Sequence, residues 1–303
     1  MNRQPKVSVG LPVFNGERFV AEAIESILAQ TFEDLELVIS DNASTDGTEE
    51  ICRAYAEKDE RVRYVRSREN LGAAYNFNQT FHLSSGTYFK WAAHDDVLLP
   101  EFLERCVEAL DADPSVVASY TRWAPIDETG NPAEFGYPVW PQVVSPDPVD
   151  RFRITLLMDG RASFPIFGLF RSEVLRGTGL HRATPSGDCI LVAEISLYGP
   201  FHEIPGELLL NRDHVGRSIR IPGLRNRVDW WLPAARAGRF GRGSIGVLLL
   251  FAVTMGEAAA GYVDSIRRSP LDRRDKLRCY ARLPGWFGDQ LWLRVKRRLP
   301  RRP

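Results

Sequence analysis

Short apolar runs alternate with polar turns along the first 125 residues. Residues 7–11 (VSVGL), 35–40 (LELVIS), 62–65 (VRYV), 87–92 (TYFKWA) and 116–120 (VVASY) are rich in β-branched and aromatic side chains and bounded by turn residues, the pattern of strands. Between them apolar positions recur at helical spacing: Val20, Ala23, Ile24, Ile27 and Leu28 mark one face, and Phe102, Leu103, Val107 and Leu110 another. This alternation predicts an α/β fold with a mostly parallel central sheet flanked by helices. In such sheets ligands bind outside the carboxyl ends of the strands, so the residues just after each strand deserve inspection first.

Polar groups collect at four of those ends. PVFNGE (12–17) follows the first strand and DNASTDGT (41–48) the second, where Asp41 stands at the strand end and Ser44, Thr45 and Asp46 can cap the next helix. RENLG (68–72) follows the third, and His94, Asp95 and Asp96 follow the fourth. Each stretch alone is an ordinary polar loop. Asp41 and the Asp95–Asp96 pair converging on one edge argue for a site. Adjacent carboxylates repel and resist desolvation, so water or a cation must accompany them. A sugar nucleotide matches these groups: a carboxylate accepts from a base N–H or ribose hydroxyls, and a diphosphate brings a hard divalent cation that needs only one or two protein carboxylates.

Composition narrows the setting. The chain has 303 residues, 44% apolar and 26% charged, which is ordinary for a soluble globular protein and allows one large core or two smaller ones. Cys52, Cys106, Cys189 and Cys279 are widely separated, which disfavours a disulfide framework or zinc knuckle and fits a reducing compartment. MNRQPK leads directly into a strand, without the apolar segment of a secretory signal, so a cytoplasmic location is expected. The formal net charge of zero conceals an asymmetry: residues 217–303 hold 20 of the 39 basic side chains and 6 of the 39 acidic ones. Residues 243–262 are apolar and long enough to suggest a membrane span, but Glu257 and the glycines favour a partly buried or interfacial helix. Trp286, Phe287, Leu291, Trp292, Leu293 and Val295 stand beside Arg294, Lys296, Arg297, Arg298, Arg301 and Arg302, a combination suited to the surface of an anionic bilayer. The alternative is a helical appendage packed on the preceding domain. No helix-turn-helix or RNA-binding signature accompanies the charge, so nucleic acid is not the expected partner.

The ordered set PVFNGERFVAEAIESILAQTFEDLELVISDNASTDGT, ENLGAAYNFN and SSGTYFKWAAHDDVLLPEFLE strongly resembles family 2 glycosyltransferases with the GT-A fold, closely over residues 5–125 and more loosely to about residue 218. The resemblance implies a catalytic domain over 1–218, which leaves 219–303 as a basic helical C-terminal extension whose aromatic and basic residues are expected to touch the cytoplasmic face of a membrane. It implies inverting transfer of a sugar from a nucleoside diphosphate sugar, with UDP the default and dTDP or GDP open. The acceptor is a hydroxyl on a glycan or lipid-linked glycan of the cell envelope or surface, and the cofactor is Mg2+ or Mn2+. By the same resemblance Pro12, Val13 and Phe14 line the nucleotide, Asp41 contacts the base, and Asn70 of RENLG joins the donor-binding set. Asp95 meets ribose or metal, and Asp96 binds the metal directly. His94 departs from the Asp-x-Asp form.

PSGDCILVAEISLYG (185–199) matches the family's acidic pair before a helix, with Gly187 in place of the first acid and Asp188 retained as the candidate base. Asp188 also reads as a helix N-cap, and Glu194, mid-helix and expected to face solvent, is the fallback. LLLNRDHVGRS (208–218) resembles an Arg-x-His-x-x-x-Ser element, with Arg212 directed to the diphosphate, His214 to the metal or an ordinary structural role, and Ser218 closing the motif. His82 and His181 read as packing or surface residues, and Arg68 as an exposed loop arginine. Two rivals stay open: a sugar-nucleotide nucleotidyltransferase, whose glycine-rich, arginine-containing loop PVFNGE lacks, and a non-catalytic nucleotide-sugar binder or membrane scaffold, which Gly187 keeps in play.

Overall fold

A computed structural model of the chain describes residues 4–134, 141–158, 164–217 and 244–298, with the backbone alone for 244–251 and 291–298. The predicted alternation becomes β1 (Val7–Val13), α1 (Val20–Leu28), β2 (Leu35–Asp41), α2 (Thr48–Lys58), β3 (Val62–Arg66), α3 (Ala73–His82), β4 (Tyr88–Trp91), β5 (Val97–Leu98), α4 (Phe102–Ala112) and β6 (Ala118–Ile126). Then come α5 (Pro148–Leu156), a 3-10 turn (Phe164–Phe167), β7 (Leu169–Arg171), α6 (Ser172–Gly177), α7 (Gly187–Ser196) and β8 (Phe201–Arg212). Three helices end the described chain: α8 (Ser244–Arg268), α9 (Arg273–Tyr280) and α10 (Leu283–Arg298).

The eight strands form one sheet in the order β3-β2-β1-β4-β7-β6-β8-β5. β1, β2, β3 and β4 pair in parallel, as does β6 with β8. β7 runs antiparallel between β4 and β6, and β5 antiparallel to β8. The antiparallel insertion was not expected, because a run of three residues is too short to show a period. In register, Val13 lies beside Asp41 and Asp41 beside Arg66, so the ends of β1, β2 and β3 reach one edge together.

Alternation along the strands loads both faces. Val7, Val9, Leu11 and Val13 pack with α1 and α4, while Phe89 and Trp91 turn the other way onto Phe81, Leu191, Val192 and Ile195. α1 starts at Phe19 without a side-chain cap. A missing cap costs about 1 kcal/mol, whereas burying Val20, Ile24 and Ile27 gains roughly 1.5–3 kcal/mol each, so packing rather than capping holds the helix.

α8 is not a separate appendage among the described residues. Met255, Ala258, Tyr262 and Ile266, with Cys279 of α9 and Trp286 of α10, share one apolar cluster with Val149, Phe152 and Leu156 of α5 and with Ile190 and Ala193 of α7. No helix among the described residues is long and apolar enough to cross a membrane. Trp286, expected at a bilayer surface, is instead buried with its ring 5.0 Å from that of Tyr262. The side chains of Leu291 to Arg302 lie outside the described residues.

Candidate functional site

Beyond β4 the chain carries Asp95 and Asp96 to the sheet edge, and the end of β8 meets them. Asn211 Nδ2 donates to both oxygens of Asp96, at 3.0 and 3.1 Å, and the Arg212 N–H donates to Asp96 Oδ1 at 3.0 Å. His214 Nε2 lies 2.8 Å from Asp95 Oδ2. The Gly216 N–H donates to His214 Nδ1 at 3.2 Å, which assigns the proton to Nε2 and makes the ring a donor to Asp95. In this arrangement His214 orients Asp95; its expected role as a metal ligand would require that hydrogen bond to be given up. His94 packs on the Asn15–Gly16 turn so closely that a Cβ at Gly16 would lie 2.7 Å from its Cδ2.

Burial, then the charge of Asp95, pushes the Asp96 carboxyl well above the ordinary range. Burial alone would push Asp95 the same way. His94, the His214 hydrogen bond and Arg217 outweigh it and hold Asp95 low. The pair is therefore unequal, with Asp95 the more readily ionised of the two.

Arg212 differs from its expected role at a diphosphate. It is buried and each of its three nitrogens is directed to protein: Nε donates to the Asp95 carbonyl at 3.0 Å, Nη1 reaches the Asp127 carbonyl at 3.3 Å, and Nη2 pairs with Glu22 at 2.6 Å. Its guanidinium lies 5.0 Å from the Phe19 ring centroid. Arg212 pins the Asp95 backbone to α1 and to the turn after β6. The nearby cation that sequence reasoning passed over is Arg217, whose Nη2 donates to Asn211 Oδ1 at 2.7 Å and which stands 3.6 Å from Asp213. Its charge lowers both Asp95 and Asp96. The signal was its place in RDHVGRS, one residue before Ser218, which lies outside the described residues.

On the neighbouring strand ends, Asp41 is buried and accepts from the Ser44 N–H at 2.8 Å and the Tyr64 hydroxyl at 2.7 Å, with Arg66 Nε at 3.4 Å. Pro12 and Val13 are buried, Val13 in the core, whereas Phe14 is 40% exposed and presents its ring outward. The two loops are tied to each other: Asn15 N–H donates to Ser44 Oγ at 2.9 Å, Thr45 N–H to Asn15 Oδ1 at 2.8 Å, and Gly16 N–H to Thr48 Oγ1 at 2.8 Å. Of the three expected capping residues, only Asp46 accepts a bond from the start of α2, from the Thr48 N–H at 3.1 Å. Asn70 Oδ1 accepts from Asn42 Nδ2 at 2.8 Å and from the Gly72 N–H at 2.9 Å, shaping the third loop, and Arg68 is exposed.

Asp188 is delivered by a different element, the first turn of α7, where its Oδ1 accepts from the Cys189 N–H at 2.9 Å and the side chain stays partly exposed. The N-cap position belongs to Ser186, not to Asp188. A Cβ on Gly187 would lie 2.3 Å from the Arg182 carbonyl oxygen, so the loop before α7 leaves no room for an acid there. Glu194, expected to face solvent, is fully buried: Ser265 Oγ donates to its Oε2 at 3.0 Å and the Gly179 N–H to the same oxygen at 3.2 Å. The cover supplied by α8 makes the difference. His181 is buried against the rings of Phe77 and Trp91, and His82 is exposed.

Residues 8–145 match the family model for glycosyl transferase family 2. The chain is 35% identical over 141 residues to a chondroitin synthase of Escherichia coli, covering 46% of this chain and 20% of that protein. It is 32% identical over 133 residues to a putative teichuronic acid biosynthesis glycosyltransferase, TuaG, of Bacillus subtilis, covering 44% and 52%. An uncharacterized glycosyltransferase of Rickettsia felis is 33% identical over 159 residues, covering 50% of this chain and 24% of the relative. The chain thus spans between a fifth and about half of the length of these relatives. Among solved structures, TarS 1-349 of S. aureus aligns with a TM-score of 0.64 at 15% identity, covering 94% of this chain and 72% of that one, and it has also been solved with UDP and with UDP-GlcNAc. The mannosyltransferase PcManGT of Pyrobaculum calidifontis, in complex with GDP-Man and Mn2+, aligns with a TM-score of 0.53 at 19% identity, covering 96% and 81%. At these identities the structural likeness is one of fold.

Proposed function

We propose, on the premise that residues 8–145 belong to glycosyl transferase family 2, that this GT-A glycosyltransferase moves a sugar with inversion from a nucleoside diphosphate sugar to a hydroxyl of a glycan or glycolipid in surface polysaccharide assembly. The observation that carries the reading is the unequal Asp95–Asp96 pair, clamped by Asn211, Arg212 and His214 with Arg217 beside it.

The protein offers two carboxylates for a cation. No group of three potential ligands occurs among the described residues, but two carboxylates completed by phosphate oxygens and water suit Mg2+ or Mn2+ arriving with a diphosphate. When bound, such an ion would supply Lewis-acid stabilisation of the charge growing on the leaving diphosphate. Asp96 and Asp95 would hold it, and Arg217 adds a fixed positive charge on the same side. The acceptor oxygen attacks the sugar carbon, the bond to the diphosphate oxygen breaks with its electron pair, and the acceptor proton passes to the Asp188 carboxylate. Phe14 offers an exposed ring beside the nucleotide, and Asp41, held by Ser44 and Tyr64, keeps acceptor capacity for the base at the same strand end.

A binding panel of UDP, GDP and dTDP, each with and without Mn2+, tests the reading. One nucleoside diphosphate should bind at least about tenfold more tightly with the metal, a difference of roughly 1.4 kcal/mol; no binding by any of them would remove the donor-site assignment. Because the raised Asp96 must release a proton to meet a cation, metal-dependent binding is expected to strengthen as pH rises and to level off once Asp96 is ionised. Calorimetry in buffers of different ionisation enthalpy would register the proton; affinity that is flat from about pH 5.5 to 8.5 would mean that Asp96 is ionised throughout. Arg217→Gln is expected to weaken diphosphate binding by about 10- to 100-fold while leaving nucleoside binding unchanged, the loss of one charge-assisted contact at about 1.5–3 kcal/mol.

A peripheral membrane contact on the cytoplasmic face would bring a lipid-linked acceptor within reach. Arg267, Arg273 and Arg274 of α8 and α9 are exposed, as are Leu277 of α9, at 67%, and Phe287 of α10, which is half-exposed. Flotation with vesicles containing phosphatidylglycerol should carry the protein at low salt and release it at high salt, since each basic side chain contributes about 1 kcal/mol. Equal flotation with neutral vesicles would assign the contact to apolar insertion alone.

A further inference from the structure

We propose that α8 is part of the catalytic device, with Asp264 and Ser265 acting as positioning residues for Asp188. The inference rests on the reading of Asp188 as the base. Asp188 follows a loop, residues 178–186, that connects α6 to α7, and α8 grips this loop at two points. Arg182 Nη2 pairs with Asp264 at 2.6 Å. The Gly179 N–H and Ser265 Oγ both donate to Glu194 Oε2, so one buried carboxylate joins the start of the loop, the body of α7 and α8. Gly261 lets the side chains of Ile190 and Arg182 pack onto the α8 backbone: a Cβ there would lie 2.9 Å from Ile190 Cδ1 and 3.2 Å from Arg182 Cδ.

Movement of Arg182 is transmitted directly to Asp188. The Arg182 carbonyl occupies the place a Cβ on Gly187 would need, and it accepts from the Thr184 N–H at 2.8 Å, while Thr184 in turn accepts from the Gly187 N–H at 2.9 Å. The loop is closely set from its other side as well, where Asn78 of α3 exchanges two 2.9 Å hydrogen bonds with the His181 backbone. Leu180 holds a φ of 53°, a left-handed conformation that an ordinary side chain adopts only when its surroundings enforce it. Such a loop has one shape while both grips hold, and several when α8 lets go. The apolar cluster between α5, α7 and α8 supplies the binding of the C-terminal helices; the Asp264 and Ser265 contacts are additional, and they act on the loop that leads into the base-bearing turn of α7.

The test uses the full chain and measures release of nucleoside diphosphate from the sugar nucleotide that the binding panel selects. Asp264→Asn and Ser265→Ala are expected to lower kcat by about 10- to 100-fold, the cost of a misplacement of about an ångström, with donor KM and nucleoside diphosphate affinity within about twofold of the parent. Arg182→Met should reproduce the Asp264→Asn effect, and the double variant should lose little more than either single one, because Asp264 reaches the loop through Arg182 alone, its other partners, Arg267 and Arg268, lying on α8 itself. Wild-type kcat in both Asp264→Asn and Ser265→Ala overturns the proposal. So does a loss of kcat that comes with an equal loss of nucleoside diphosphate affinity, since that describes a general loosening of the fold. Asp188→Asn separates the two ideas: if it turns over normally, the base assignment and the positioning role fall together, whereas an inactive Asp188→Asn beside fully active Asp264→Asn and Ser265→Ala removes the positioning role alone.

Discussion

Asp96→Ala is expected to abolish metal-dependent binding of the nucleoside diphosphate and to lower sugar transfer by at least about 10³-fold, the loss of roughly 4 kcal/mol of charge stabilisation. The fold should survive, because the partners of Asp96 are a side-chain amide and one backbone N–H at the sheet edge, while the apolar clusters lie elsewhere. The isosteric Asp96→Asn adds a check on electrostatics. A carboxyl whose folded value is raised holds its proton in the native protein over a pH range in which the unfolded chain has released it. Native stability therefore falls as pH rises from the ordinary carboxylate value to the raised one. Without metal, Asp96→Asn should melt higher than the parent at pH 8, by about 2–4 °C per kcal/mol relieved, and nearly level with it at pH 5. Full transfer activity in Asp96→Ala would sink the metal assignment, and a variant that melts lower at pH 8 would contradict the raised carboxyl.

Asp188→Asn should bind the nucleoside diphosphate as the parent does and lose about 10²- to 10⁴-fold in turnover, the usual contribution of a positioned general base. The amide keeps the size of the side chain and can still accept from the Cys189 N–H, so the first turn of α7 should remain. Release of nucleoside diphosphate, measured beside equilibrium binding, separates the two effects. Normal turnover would move the base elsewhere. Glu194 is then a poor substitute, since it is buried and shared between Gly179 and Ser265.

Residues 7 to 125 were legible because their signals are local. Val20, Ile24 and Ile27 repeat at the helical period, and 35–40 and 62–65 carry strand composition between turn residues, so elements and order follow from short windows. The Asp95–Asp96 pair drew notice because adjacent carboxylates are costly wherever they are buried. The partners of those carboxylates were not legible. Asn211 reaches Asp96 across 115 positions of sequence, and Tyr64 reaches Asp41 only because β3 pairs beside β2. Arg212 illustrates the limit of composition. An arginine near a diphosphate motif reads as a phosphate ligand, yet the turn after β6 and the Glu22 carboxylate surround it and spend its donors on the protein. Glu194 and Trp286 were misplaced for a related reason: burial is decided by what covers a helix, and the cover came from α8, far along the chain.

The cluster shared by α5, α7 and α8 also bears on modularity. A boundary drawn at residue 218 looks natural by charge and by motif, but it would peel Met255, Ala258, Tyr262 and Ile266 away from Phe152, Ile190 and Ala193. Shortened versions made for crystallisation or for grafting onto another transferase should therefore keep α8 and α9, with fusions joined beyond α10. A fragment ending at 218 would present Ile190 and Phe152 to solvent and is expected to collect as an insoluble product.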